Sequence, residues 1–126
     1  MAVHTDEENK IGVDEIAAGL KLPKHFLAKI LQRLTRHNLA SSSKGRNGGF
    51  YLSEKNKDAP LLRIVESIDG PDLFSSCILG LSTCSGKNPC TLHAEAVKYR
   101  ESMLSIIEHD SIRDTANKIS RKKLKI

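Results

Sequence analysis

Tryptophan is absent from this chain, and three Phe and two Tyr supply all of its aromatic content, 4% of 126 residues. A core without aromatic bulk must be built from Leu, Ile, Val and Ala, a composition better suited to packed helices than to a sandwich of strands. The length allows one domain with an appended element and no second large fold. No stretch approaches the roughly 18 apolar residues of a membrane span, and no leading segment resembles a signal peptide, so a cytoplasmic protein without membrane attachment is expected. Catalytic groupings are also lacking. No Ser or Cys nucleophile stands beside an orienting base and no carboxylates pair in an apolar setting, which argues against an enzyme and against a small-molecule substrate. Cysteine is scarce, but its three residues fall together at Cys77, Cys84 and Cys90. In a reducing compartment an odd, clustered set of thiols points to metal binding or redox sensing rather than to structural disulfides.

Positive charge is abundant, with a formal net charge of +5, and it is unevenly placed. Residues 21–57 carry nine Lys or Arg against one acid, and 113–126 carry six against one. Residues 1–20 and 58–112 are both acidic. Two separate basic segments favour a polyanionic partner, because a cationic surface raises encounter rates with phosphates of any sequence.

The hydrophobic spacing predicts mostly helix with one small hairpin. IGVDEIAAGLKL offers a short helix with Val13, Ile16, Ala17 and Leu20 on one side, closed by Gly19. LPKHFLAKILQRLTRHNLA offers a second, with Pro23 in its first turn and Asn38 able to turn left-handed at its end. The two meet across about four residues, the helix-turn-helix spacing. In the second helix Leu27, Ile30, Leu31 and Leu34 share one side, and His25, Lys29, Gln32 and Arg36 cluster opposite. An ordinary solvated face would look the same, but a basic hairpin follows. LASSSKGRNGGFYLS reads as two short strands around a glycine-rich tip bearing Lys44 and Arg46. It is not a nucleotide-binding loop, since no Gly-Lys-Ser/Thr follows and no helix starts at the glycines. A helix-turn-helix with such a hairpin is a winged helix, a fold whose helix reaches major-groove edges and whose wing reaches the minor groove of double-stranded DNA.

Farther along, Asp58 can cap a helix over APLLRIVESIDG, with Pro60 in its first turn and Leu61, Leu62, Val65 and Ile68 inward. A last helix is expected from about Thr91 to His109. Leu92, Ala96, Tyr99, Met103 and Ile106 recur along it at alternating steps of four and three, a seam suited to a subunit interface or to its own core. The expected division is a winged helix-turn-helix over 1–70, a cysteine-bearing loop over 71–92, a dimerisation helix region over 91–119 and a basic tail over 120–126. His4, His37 and His109 have no partner spacing and are expected at the surface.

Taken in order, the helix-turn-helix, the wing SSSKGRNGGFYL, the helix ending IDG and C-x6-C-x5-C-x2-H before a long helix resemble the Rrf-two family of winged-helix transcriptional regulators. That family includes an iron–sulfur cluster regulator and a nitric-oxide-sensitive repressor, and the likeness runs from about Ile11 to Ile119. The resemblance implies a homodimer that places one recognition helix in each half-site. It puts the base-facing positions at His25, Ala28 and Lys29, and the family's wing arginine at Lys44, where a point charge replaces a planar fork. It also implies a further first helix of which MAVH resembles the last turn, so a start that is truncated or misassigned is expected.

An iron–sulfur cluster needs four ligands, and imidazole can replace a thiolate. Cys77, Cys84, Cys90 and His93 supply such a set on a loop made pliable by Gly80 and Gly86, with [2Fe–2S] favoured and [4Fe–4S] next. The cluster is of the kind that oxygen strips, so its absence from purified protein is compatible with this reading. Four alternatives stay open: a zinc site, though the gaps are wider than its usual C-x2-4-C pairs; a metal-free thiol switch; vestigial cysteines; and a cluster-carrying interaction protein. His93 could also merely cap or pack.

Overall fold

The computed structural model describes residues 1–122. Six helices and a two-stranded hairpin follow one another: α1 (Val13–Leu20), α2 (Lys24–Arg36), β1 (Ser41–Ser43), β2 (Gly49–Tyr51), α3 (Glu54–Lys57), α4 (Leu61–Asp69), α5 (His93–His109) and α6 (Ile112–Lys122), with a 3-10 turn at Pro71–Phe74 between α4 and α5. The architecture is mostly helical with a small antiparallel wing.

Helix α1 begins with Asp14 and Glu15 against its positive end. It runs through Gly19 and ends where Lys21 turns left-handed at φ 54°. There the Leu22 N–H donates to Ala17 O and the Lys21 N–H to Ala18 O, the double bond of a Schellman ending. A lysine therefore does the closing that the sequence suggests for Gly19. Pro23 stands just before α2 as its N-cap, where its missing N–H costs nothing. At the far end Asn38, φ 57°, repeats the Schellman geometry, its N–H going to Thr35 O and that of Leu39 to Leu34 O. This one lies where the sequence places it.

Two buried clusters fix the helices. Ile16, Ala17, Leu27 and Leu31 lock α1 on α2, with Ile11, Val13 and Phe50 around them. Leu39, Ala40, Leu52, Ala59 and Ile112 form the other. Fully burying one such Leu or Ile is worth about 1.5–3 kcal/mol. Two arginines tie α2 to α4: Arg33 donates to Ile68 O and Arg63 to His37 O, each placing a cation at a helix's negative end.

The hairpin pairs Ser41 with Tyr51, Ser42 with Phe50 and Ser43 with Gly49. Ile11 bridges Phe50 on the other edge, two backbone hydrogen bonds joining them. A Cβ on Gly49 would lie 2.8 Å from Ile11 O, so only glycine lets this third segment approach.

Past the wing the structure departs from the sequence reading. Asp58 does not cap the helix over 61–69. It ends α3, a single turn started by Ser53, whose hydroxyl accepts from the Asn56 N–H. Pro60 precedes α4 as its N-cap rather than lying in its first turn. The region 91–119 holds two helices, because Asp110 is extended, and Ser111 and Asp114 cap a fresh helix by reciprocal hydrogen bonds. Helix α6 returns to the winged helix and buries Ile112 and Ala116. Arg113 clamps it there, donating to Asp58 Oδ1, Glu54 Oε2 and Glu54 O at 2.5–3.0 Å. The Leu61 N–H donates to Asp110 O and the Ile112 N–H to Ala59 O, so the α5–α6 joint is stitched to the α3–α4 turn. Of the basic tail over 120–126, residues 123–126 lie outside the described residues.

Candidate metal centre and nucleic-acid interface

The thiol loop runs from the 3-10 turn to the start of α5. Its Cys77, Cys84 and Cys90 side chains converge, all three sulfurs lying within 4.8 Å of one another, each half-buried. Backbone turns bring them in: Gly80 N–H bonds Cys77 O, Cys84 N–H bonds Leu81 O, and His93 N–H bonds Cys90 O. Gly80 sits at φ 70°, a conformation its neighbours could adopt only with strain.

Within this group two pairs are tighter. Cys77 Sγ lies 3.7 Å from Cys90 Sγ, and Cys84 Sγ lies 3.3 Å from His93 Nδ1. Bonds of about 2.3 Å to sulfur and 2.0–2.1 Å to nitrogen at a tetrahedral ion put two thiolates about 3.8 Å apart, and a thiolate and an imidazole about 3.6 Å apart. The Cys77–Cys90 pair therefore has the edge length of ligands sharing one tetrahedral metal atom, and the Cys84–His93 pair is slightly closer than that. The donors are of the types that would hold a two-iron group, three thiolates and an imidazole. They also fit three corners around a single ion, with His93 at the edge of the set.

The electrostatics suit thiolate ligation. The Leu81 N–H aimed at Cys77 is the largest influence on its thiol, joined by the Leu79 N–H, and together with hydrogen bonds from the other thiols they draw its pKa down to about 7. At Cys84 the Cys90 N–H pulls the pKa down, but partial burial and the nearby thiols outweigh it and leave it raised. One proton thus leaves readily, and a second charge beside the first is costly unless a cation arrives.

The other candidate residues lie elsewhere. On α2, His25, Lys29, Gln32 and Arg36 are exposed, and Ala28 is half-buried. Lys44 and Arg46 stand exposed at the wing tip. Sequence reasoning passed over Phe26, which is 56% exposed in the first turn of α2, beside His25. Phe26 lies one turn before Ile30 of the apolar stripe, but only Leu27 and Leu31 of this helix are buried. Nearby Lys24 is held by Asp14 at 2.7 Å, and Lys10 lies over the Tyr51 ring.

The α5 seam is divided. Ala96 is buried and Met103 half-buried, while Leu92, Tyr99 and Ile106 are 45%, 64% and 62% exposed. An open groove of about 720 Å³ runs between the 3-10 turn and α5, bordered by Leu73, Phe74, Ile78, Leu92, Tyr99 and Met103, with Cys77 at its edge.

A family profile described as Rrf2, iron-dependent transcriptional regulator, matches residues 1–118. A protein assigned as an HTH-type transcriptional regulator in Aquifex aeolicus (strain VF5) is 27% identical over 114 residues, 89% of this chain and 79% of that one. Another so assigned, in Mycobacterium tuberculosis (strain ATCC 25618 / H37Rv), is 31% identical over 107 residues, 84% of this chain and 66% of that one. The solved structure of T. potens IscR matches with a TM-score of 0.70 at 17% identity, covering 99% of this chain and 81% of that one, a likeness of fold.

Proposed function

The chain belongs to the Rrf2 family of transcriptional regulators, and from that premise we propose that it binds operator DNA as a homodimer and senses redox, iron–sulfur or nitric oxide status through a metal centre on its thiol loop. The observation that carries the sensing half is the pairing of Cys77 with Cys90 and of Cys84 with His93. Three thiols and an imidazole are the donor types that a [2Fe–2S] cluster takes, and its role would be to change charge or leave when oxidised or nitrosylated. Cys77, with its depressed pKa, supplies the first thiolate, and the raised Cys84 follows as positive charge arrives.

His25, Ala28, Lys29, Gln32 and Arg36 face the major groove in this reading, and Lys44 and Arg46 reach along the backbone or into the minor groove. Arg33 is spent on α4 and takes no part. A second copy's α5 covers Leu92, Tyr99 and Ile106, so that the loop of each protomer lies beside the dimer contact. Movement at the thiols then alters how two recognition helices straddle half-sites about one helical turn apart.

Anaerobic purification followed by visible absorption and iron and sulfide analysis tests the centre, and anisotropy titration on duplexes of rising salt tests the binding. Brown protein with about two irons per chain, binding one duplex better when loaded than when stripped, is the expected result. A Cys77→Ser, Cys84→Ser, Cys90→Ser protein that binds the same duplex as well as the loaded wild type would overturn the link. One observation favours a second reading. Three sulfurs within 4.8 Å also suit a single zinc ion, and a colourless protein carrying one zinc per chain would establish it.

A further inference from the structure

Thr5 and Asn56 are the only buried polar residues among the described residues, and Asn56 is 4% exposed. Its amide nitrogen donates to Asn38 O at 2.7 Å. Its amide oxygen accepts from the Ser41 hydroxyl at 2.7 Å, from the Ser53 N–H at 3.0 Å and from the Ser53 hydroxyl at 2.8 Å. The carbonyl facing Nδ2 fixes which way the amide points, since turning it would set oxygen against oxygen. These partners sit at three junctions of the winged-helix scaffold in chain order: Asn38 just beyond α2, Ser41 at the entry of β1, and Ser53 just past β2. One buried side chain thus joins the end of the helix to both legs of the wing.

Local folding does not require this. A single turn as short as α3 needs only its Ser53 cap, and the hairpin already has its own register. The bonds to Asn38 and Ser41 are the surplus, and both lead away from α3. We propose that Asn56 is a positioning residue for DNA recognition, fixing the angle between α2 and the wing so that both engage one duplex together. The inference rests on the reading of α2 and the wing as the DNA-contacting elements. Buried amides with every bond made hold geometry tightly, because a lost partner leaves a polar group dry and unpaired.

The test is a double-mutant cycle on a duplex selected by the dimeric protein from a randomised library. Asn56→Ala cuts all the links, and Ser41→Ala, at a half-buried position, cuts only the link to the entry of β1 and guards against loss of folding. Each is combined with Lys44→Ala/Arg46→Ala, and melting temperature is followed alongside. Expected is a loss of about tenfold in affinity for the selected duplex, with less than about threefold on a scrambled one. The wing substitutions should then cost clearly less affinity in the Asn56→Ala or Ser41→Ala protein than they cost in wild type. If the wing's contribution is unchanged in both backgrounds, and only the melting temperature falls, Asn56 is structural and the inference fails. Should wild type itself not distinguish selected from scrambled duplex, the DNA reading fails instead.

Discussion

His93 is the residue on which the two metal readings divide. It touches Cys84 but stands at the edge of the thiol group, so its removal leaves three sulfurs in place. His93→Ala is expected to keep some iron and lose its visible absorption several-fold faster in air, while Cys84→Ser, which removes half of one pair and the contact to His93, should abolish loading. Equal lifetimes for His93→Ala and wild type would remove the imidazole from the ligand set. The metal-free thiols should also differ among themselves. The Cys77 pKa lies near 7 and that of Cys84 above the usual thiol value, so the thiolate of Cys77 grows in as pH rises through about 7. Brief iodoacetamide treatment with peptide mapping should label Cys77 first, at a rate climbing across that range; labelling of Cys84 first would contradict the hydrogen-bond pattern. At the wing, Gly49→Ala has to part Ile11 from Phe50, at a cost of about 1–3 kcal/mol in denaturant unfolding. The proximity of the thiols is legible from three cysteines in one glycine-spaced loop. Their pairing is not, because backbone turns at Gly80 and Leu81 decide which sulfurs meet.

Among the elements, α6 shows most clearly what sequence spacing leaves out. The stretch from Thr91 onward has no glycine or proline to mark a break, and the stop at Asp110 comes from hydrogen bonds to Ala59 and Leu61, fifty residues away. Ser111-x-x-Asp114 is a readable cap only once that stop is known. The single turn α3 is likewise hidden, since its Ser53-x-x-Asn56 box uses the shorter Asn where Glu or Gln is usual. By contrast α1, α2 and the wing are legible because amphipathic spacing, Asn38 and the Gly48-Gly49 pair all point to one fold. The clamp holding α6 is open to test by acid. Arg113 hydrogen-bonded to Glu54 holds that carboxyl below its ordinary 4.5. A depressed folded-state pKa contributes stability above the unfolded value and loses it as pH falls through the folded one. Arg113→Ala should therefore melt lower than wild type at pH 7, with the gap narrowing as pH drops below 4.5. A gap that stays constant down to acid unfolding would show that the ion pair carries none of the difference.

For the whole molecule, the exposed part of the α5 seam and the two cationic elements set the expectations. Tyr99→Asp with Ile106→Asp places charge on the exposed positions and should convert a dimer to monomer in sedimentation, with operator affinity falling by tenfold or more as half-sites are read singly. Four exposed cations on each protomer, Lys29, Arg36, Lys44 and Arg46, allow a dimer a salt slope of up to about −7 when all meet phosphate. A slope near zero would place the duplex elsewhere. The mounting of α5 bears on how a signal could leave the thiols. One end of this rod grows out of the ligand loop, and the other is sewn by backbone to the corner at residues 59–61. A lever free at its tip would swing and lose the motion to solvent; a beam held at both supports hands its load to the frame, so under the proposed function a disturbance among the sulfurs is expected to emerge as a turn of the winged helix.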